Sequence, residues 1–172
     1  METESHGNPF VGRTEELEQL MDWVGRGGGL ITLTGPAGMG KTALARRQAQ
    51  EMVRQGRVEA DAVVFCDLSQ AWTEADIVTR LSGALGAHLS GADRSVSTVE
   101  LLGQAIAGRG PMLLILDNFE QLVDLAAQTV SVWRRAAPEA VLLVTSRDRL
   151  RLTGEACLAL PPLPEVDAVA LF

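Results

Sequence analysis

Eight residues from Gly35 to Thr42 have the composition and spacing of a phosphate-binding loop. They read GPAGMGKT, so that Gly38 and Gly40 precede Lys41 and Thr42. Glycines let a backbone curl until its amide hydrogens, and the N-terminus of a following helix, face an anion. A lysine at this place can reach the β- and γ-phosphates of a nucleotide, and the hydroxyl after it can bind Mg²⁺. The spacing therefore predicts a site for a nucleotide and its metal ion.

The loop fits the Walker A motif, G-x-x-x-x-G-K-[ST], and it also has the surroundings that this motif requires. The β-rich apolar run LITLT at 30–34 precedes it, and apolar residues at helical spacing follow it. We expect the whole loop and the residue after it to line the nucleotide phosphates, namely Gly35, Pro36, Ala37, Gly38, Met39, Gly40, Lys41, Thr42 and Ala43.

Lysine occurs once in the chain, at position 41. Of the fifteen Lys and Arg residues, fourteen are Arg, so a compact ammonium is kept where a planar guanidinium would fit badly. GTPases of the Ras type read guanine with an Asn-Lys-x-Asp motif, which a chain without a second lysine cannot contain. We therefore expect ATP or ADP, together with Mg²⁺.

Asp117 ends the apolar run MLLILD at 112–117, at the end of a strand where open α/β sheets bind their ligands. We expect it to hold Mg²⁺ through a coordinated water, with Thr42 as the other metal residue. Asn118 can orient a water but cannot take its proton, and the lack of a positioned base slows a reaction about 10²- to 10⁴-fold. Glu120 could act as the base instead of the residue at 118, although an acid in the first turn of a helix is more often solvated.

Arg147 follows the run AVLLVTS at 140–146. If this strand lies between the strands that end at Thr34 and Asp117, the guanidinium lies at the γ-phosphate and can distinguish ATP from ADP. The alternative is a surface arginine within a basic run formed by Arg147, Arg149 and Arg151.

Apolar strands alternate with helices along the chain. Strands are predicted at 30–34, 62–68, 112–117, 140–146 and 156–160, and helices at about 14–24, 44–53, 77–85, 99–107 and 121–135. This alternation is typical of an α/β domain with a parallel sheet that is covered on both faces.

The overall composition excludes several classes of protein. A length of 172 residues suits one domain, and a net charge of -7 offers no basic surface for a nucleic-acid backbone. No apolar run is long enough to span a membrane, and the first residues do not form a signal peptide. Cys66 and Cys157 lack metal-ligand spacing and suit free thiols in a reducing compartment. We expect a cytoplasmic protein without direct nucleic-acid or membrane contacts.

Taken together, these motifs resemble the nucleotide-binding domain of the STAND class, the signal-transduction ATPases with numerous domains. The likeness is greatest to the bacterial predicted-ATPase branch found in multidomain transcriptional regulators, with NB-ARC proteins as more distant relatives. It runs through NPFVGRTEELEQL, GPAGMGKT, LLILDNFEQL, VLLVTSR, LRLTGE and LPPLPEVDAVALF. In many related ATPases, a glutamate directly after the strand-ending aspartate is the general base, and here that position is Asn118.

The resemblance implies a P-loop NTPase three-layer sandwich with a parallel sheet ordered 5-1-4-3-2. It would place Arg147 between the two phosphate-binding strands as a sensor. It also implies that Val11, Gly12 and Arg13 lie against the adenine and ribose, mostly through their backbone, whereas the residues alone suggest only the approach to a helix.

The expected organisation is a nucleotide-binding domain over 1–160, with 1–13 as its N-terminal segment. Residues 161–172 would be a linker and the start of a helical element, in a chain that is a fragment of a larger protein. The expected function is a signalling switch gated by ATP and ADP, with slow Mg²⁺-dependent hydrolysis and self-association of the full-length protein. The alternatives are a steadily turning AAA+-like motor ATPase and a DNA-binding regulator segment.

Overall fold

The computed structural model describes residues 12–27, 29–88 and 96–162. Within these ranges the strands are β1 (Leu30–Thr34), β2 (Val63–Asp67), β3 (Leu113–Asp117), β4 (Val141–Ser146) and β5 (Ala156–Ala159). The α-helices are α1 (Thr14–Gly25), α2 (Lys41–Arg54), α3 (Glu74–Leu85), α4 (Thr98–Ala107) and α5 (Val130–Ala136). Two short 3₁₀ helices, Ala60–Ala62 and Glu120–Leu125, precede β2 and α5.

The five strands form one parallel sheet in the order β2-β3-β4-β1-β5. This is the predicted order 5-1-4-3-2 read from the other edge, so the expectation of a P-loop NTPase fold is confirmed. Strand β4 lies between β1 and β3, with Thr34 opposite Ser146, and Asp67 lies opposite Asp117 at the end of β2. The carboxyl ends of the four strands that bear candidate site residues therefore meet at one edge of the sheet.

Helices cover both faces of the sheet, because β1, β3 and β4 bury side chains on either side. One core lies under α3, α4 and α5 and includes Leu81, Leu102 and Trp133. The other lies under α1 and α2 and includes Leu20 and Leu44. The sheet is therefore the middle layer, with α3, α4 and α5 on one face and α1 and α2 on the other.

Local sequence fixes where the helices beside the site begin. Helices α3 and α4 each start with a capping box, in which Thr73 pairs with Asp76 and Ser97 pairs with Glu100. Helix α2 instead begins directly after Gly40, which has a left-handed backbone and no side-chain cap. Its first amide groups are therefore left for another acceptor.

The predicted helix at 121–135 is wrong as one continuous element, because a 3₁₀ helix and a turn precede α5. The apolar spacing is preserved across the break, so the sequence pattern could not reveal it. The Thr129 hydroxyl donates to the Leu125 carbonyl at 2.7 Å, a local bond that competes with the helical pattern. The side chains that keep the helical spacing, all buried, are Leu122, Ala126, Val130 and Trp133.

None of the helices in the described ranges combines the length and the apolar character that a membrane crossing requires.

Candidate functional site

The glycine loop between β1 and α2 uses backbone conformations that side chains disfavour. The φ angles are 146° at Gly35, 81° at Gly38 and 80° at Gly40. A Cβ at Gly35 would also lie 3.2 Å from the Leu160 carbonyl oxygen, so the loop passes close to the end of β5. The predicted loop is thus a curled backbone that opens into the N-terminus of α2.

The Lys41 ammonium lies across this loop. It donates to the Gly35 carbonyl at 2.6 Å and to the Pro36 carbonyl at 2.8 Å. An ammonium has three donors, so one remains for an anion above the loop.

The side chains of Thr42 and Asp117 meet, although 75 positions separate them in the chain. The Thr42 hydroxyl lies 2.8 Å from Asp117 Oδ1 and 3.0 Å from Oδ2, and Asp117 is 3% exposed. A hydroxyl and a carboxylate are oxygen ligands of the kind that Mg²⁺ prefers, and Mg²⁺ takes only one or two such ligands when a nucleotide supplies phosphates. The two predicted metal residues therefore fit that ion.

Thr145 on β4 is a site residue that the sequence reasoning missed. Its hydroxyl donates to Asp117 Oδ1 at 2.5 Å and accepts the backbone N–H of Asn118 at 3.0 Å. It is 1% exposed. Its place in VLLVTSR, two residues before Arg147, was the available signal, since a polar residue near the end of a buried strand needs a partner.

Asn118 directly follows β3 with a left-handed backbone, at φ 62°. Its side-chain amide donates to Asp117 Oδ2 at 3.2 Å and to Asp67 Oδ1 at 3.1 Å. The Ser69 backbone amide also donates to Asp67 Oδ1, at 2.9 Å, and this hydrogen bond lowers the pKa of the Asp67 carboxyl, with a smaller contribution from Asn118. Asp67 was likewise missed, although it lies one residue before the end of the strand predicted at 62–68.

Arg147 and Glu120 lie near each other beyond the ends of β4 and β3. Arg147 Nε is 3.8 Å from Glu120 Oε1, and the two side chains are 61% and 25% exposed. The other carboxylate oxygen, Oε2, is buried and accepts no hydrogen bond from the described residues. The structure therefore brings these two predicted residues together as a loose ion pair.

Arg13 is buried at the start of α1, whereas a contribution mostly through its backbone was expected. Its guanidinium donates to Glu16 at 2.8 Å, to the Met39 carbonyl of the glycine loop at 3.3 Å and to the Pro161 carbonyl at 2.6 Å. A cavity of about 560 Å³ adjoins it, lined by Gly12, Arg13, Thr14, Glu15, Glu16, Pro161 and Pro162. Val11, also predicted to bind nucleotide, lies outside the described residues.

Solved structures share this architecture at low sequence identity. The Aeropyrum pernix ORC1 protein, solved in complex with DNA, matches 96% of this chain and 49% of its own with a TM-score of 0.69 and 17% identity. A Pyrococcus horikoshii STAND protein with a tetratricopeptide-repeat sensor matches 99% of this chain and 26% of its own, with a TM-score of 0.55 and 20% identity. These likenesses support the fold.

Two proteins of Mycobacterium tuberculosis are similar in sequence. One, uncharacterised, is 33% identical over 99% of this chain, which spans 42% of that relative's length. The other is a putative HTH-type transcriptional regulator, 35% identical over 83% of this chain and 15% of its own. The model of the AAA domain family matches residues 24–152, which include the glycine loop, Asp117 and Arg147. This chain therefore belongs to the AAA domain family and is a nucleotide-binding domain related to transcriptional regulators.

Proposed function

We propose that this domain is a switch that binds Mg-ATP and Mg-ADP, hydrolyses ATP slowly, and passes the state of the nucleotide to a larger regulator. The observation that carries this proposal is the 2.8 Å contact between the Thr42 hydroxyl and the Asp117 carboxylate, beside Lys41. It joins the start of the phosphate-loop helix to the end of β3, as a nucleotide-bound Mg²⁺ requires.

The phosphates would lie against the glycine loop from Gly35 to Ala43. The uncapped amides of α2 and the free donor of Lys41 face that position, and a helix N-terminus favours an anion. Gly12 and Arg13 would border the adenine and ribose, because both line a cavity and the Arg13 guanidinium also donates to the Met39 carbonyl of the loop. Thr42 and Asp117 would hold Mg²⁺.

A switch is favoured over a motor by the residue that follows Asp117. Asn118 is an amide already engaged with two carboxylates, and an amide cannot accept a proton from water. Hydrolysis would then be slow enough for the ATP-bound state to persist. To move a two-state equilibrium from 1:99 to 99:1, the nucleotide must favour one state by about 5.5 kcal/mol.

Arg147 is our candidate for the group that distinguishes ATP from ADP. Strand β4 carries it between β1 and β3, and its side chain is exposed beside Glu120. A loose pair of this kind is weak, so a γ-phosphate can compete for the guanidinium. Movement of Arg147 away from Glu120 would then report the presence of the third phosphate.

The larger role follows from the relatives and remains a proposal for this chain. One relative is named as a putative transcriptional regulator, and this chain spans 15% of that protein. The nucleotide state would control assembly or activity of a multidomain regulator through self-association. Direct DNA contact by this segment is not proposed, because its net charge is -7.

The site assignment is tested with the substitution Lys41→Ala. We expect at least a hundredfold weaker binding of fluorescent ADP and ATP analogues, measured by titration with Mg²⁺. Arg47→Ala is the matched control, since Arg47 is an exposed cation on the same helix and hydrogen-bonds only to Gln50 among the described residues. Unchanged ADP affinity in Lys41→Ala would contradict the assignment.

The distinction between switch and motor requires a rate. We expect single-turnover ATP hydrolysis by the 172-residue chain to take minutes or longer. A single-turnover rate constant of several per second would favour the motor instead.

A further inference from the structure

Asn118 follows Asp117, and an amide cannot accept a proton from water. Another group must therefore accept the proton of the water that attacks ATP. Three carboxylates end β2 or β3 or closely follow β3, namely Asp67, Asp117 and Glu120. Asp117 is buried and both its oxygens accept hydrogen bonds, from Thr42, Thr145 and Asn118. Asp117 therefore binds its neighbours and would bind the metal ion. Asp67 and Glu120 are the other two candidates for the proton acceptor.

Asp67 lies directly beside Asp117, because β2 and β3 pair with these two residues in register. Unlike Asp117, it is exposed to solvent at the carboxyl edge of the sheet. The hydrogen bonds from Ser69 and Asn118 both go to Oδ1, so Oδ2 is the oxygen that can accept from a water. These bonds also fix the orientation of the carboxylate. They lower its pKa and so make it a weak base, which keeps hydrolysis slow.

Asn118 explains why the acid lies on the neighbouring strand. Its side-chain nitrogen is within 3.2 Å of oxygens of both Asp67 and Asp117. A glutamate or aspartate here would bring a third carboxylate against two others, and like charges so close prevent all from being ionised. An amide donor instead holds the two carboxylates side by side.

Glu120 is the weaker candidate on geometry. One of its oxygens faces Arg147 at 3.8 Å, and the other is buried without a hydrogen-bond partner among the described residues. A carboxylate that faces the sensor arginine is better placed to hold that arginine than to receive a proton.

We propose that Asp67 is the general base for ATP hydrolysis in this domain, oriented by the Asn118 amide. The inference rests on the proposed function, since it concerns the same nucleotide site. A water oxygen attacks the γ-phosphorus, and the bond from that phosphorus to the β–γ bridging oxygen breaks. Asp67 accepts one proton of the water, ADP leaves with the bridging oxygen, and inorganic phosphate is formed. Asp67 then returns the proton to solvent.

The experiment compares four forms of the 172-residue chain: wild type, Asp67→Asn, Glu120→Gln and Asp61→Asn. Single-turnover hydrolysis of radiolabelled ATP and affinity for a fluorescent ATP analogue are measured for each. Asp61→Asn is the matched control. Asp61 is also an exposed aspartate, but it lies two residues before β2 begins, at the end of the strand opposite to Asp67. We expect Asp67→Asn to hydrolyse ATP about 10²-fold more slowly or worse. Its nucleotide affinity should stay within threefold of the wild type, and Asp61→Asn should match the wild type in both.

An unchanged rate in Asp67→Asn would overturn the inference while leaving the proposed function intact. Nucleotide binding by the wild type without measurable hydrolysis would overturn the inference and also the slow hydrolysis in the proposed function, leaving only nucleotide binding. A loss of activity confined to Glu120→Gln would also overturn it and assign the base to Glu120. If the wild type binds no nucleotide at all, the proposed function fails, and the inference fails with it.

A double-mutant cycle tests the positioning role of Asn118. Asn118→Gly keeps the left-handed backbone and removes only the amide, so we expect about a tenfold slower rate in the wild-type background. In the Asp67→Asn background the same change should have a smaller effect, limited to the lost hydrogen bond to Asp117, because the base that the amide positions is already absent. Equal effects in both backgrounds would show that Asn118 does not act through Asp67.

Discussion

Asn118 shows how backbone and side chain can restrict one residue independently. Its φ of 62° favours Gly, Asn and Asp, and its contacts require a donor that reaches two carboxylates. Glycine meets only the first requirement, and aspartate would replace the donor with a third negative charge. In the sequence, Asn118 stands where many related ATPases have a catalytic glutamate. In the structure, the carboxylates of Asp67 and Asp117 on either side of it require an amide donor at this position.

Thr145 gives a prediction at the same scale. Thr145→Val removes the hydroxyl that donates to Asp117 and accepts from the Asn118 backbone, and leaves both buried groups without that partner. We expect the free energy of unfolding, measured by urea denaturation, to fall by about 2 to 4 kcal/mol.

Thr145→Ser is the control for this prediction, because serine keeps the hydroxyl and loses one methyl group. We expect it to lose about 1 kcal/mol. Equal losses in the two variants would show that packing, and not the hydrogen bonds to Asp117, makes Thr145 important.

Sequence patterns predicted those candidate site residues that belong to a continuous motif or end an apolar run. They left out the residues that join the candidate site only when strands pair. The run from Gly35 to Thr42 is continuous, and Asp117 is marked by an abrupt end to an apolar strand. Asp67 and Thr145 become site residues only through the register of β2 and of β4 with β3. That register is a property of the folded sheet, so single-strand patterns did not show it.

At the scale of elements, strand prediction succeeded because each strand is a nearly continuous apolar run. Strand β1 has the predicted bounds, and each of the others differs by at most one residue at either end. The helix predicted at 121–135 failed because its 3₁₀ and α-helical parts bury the same apolar stripe. Periodicity reports which side of a segment is buried, and here two conformations satisfy it.

The packing of α4 on α5 provides a prediction for these elements. Gly103 in α4 is buried, and an added Cβ would lie 3.0 Å from Ala136 Cβ and 3.5 Å from Trp133 Cδ1. Trp133 is itself fixed by its indole donating to the Val99 carbonyl at 2.9 Å. We expect Gly103→Ala to lower the free energy of unfolding by about 1 kcal/mol, because overpacking outweighs the gain in helix propensity.

Gly83→Ala is the matched control, since Gly83 lies in α3 with nothing within 4 Å of an added Cβ. There only helix propensity changes, so thermal or urea unfolding should show a gain of about 0.5 to 1 kcal/mol. A stabilised Gly103→Ala variant would mean that α4 and α5 can move apart at little cost.

At the scale of the whole molecule, Cys66 should influence stability at high pH. Burial in β2 raises the pKa of its thiol to about 11, above the value of an exposed cysteine. The unfolded chain therefore loses this proton first as the pH rises, so that the stabilising contribution is complete below about pH 8.5 and is lost through pH 11. The free energy of unfolding should fall over that window.

The composition makes this prediction measurable. The chain has no Tyr and a single Lys, so few other groups titrate in the same range. Urea denaturation between pH 8 and 11 should show a decline that is smaller in Cys66→Ala and retained in Cys157→Ser. A decline that is identical in Cys66→Ala and the wild type would assign it to another group.

The contact between Arg13 and the Pro161 carbonyl spans 148 positions in the chain and brings the start of α1 beside the exit from β5. The described part of the domain is thus entered and left at neighbouring points. A domain of this shape can be placed within a longer chain, or circularly permuted, with short connections and little rearrangement. A force that pulls residues 13 and 161 apart would act on the Arg13 hydrogen bond that joins them. Another Arg13 hydrogen bond reaches the Met39 carbonyl, so tension on the flanking chain would also be transmitted to the glycine loop.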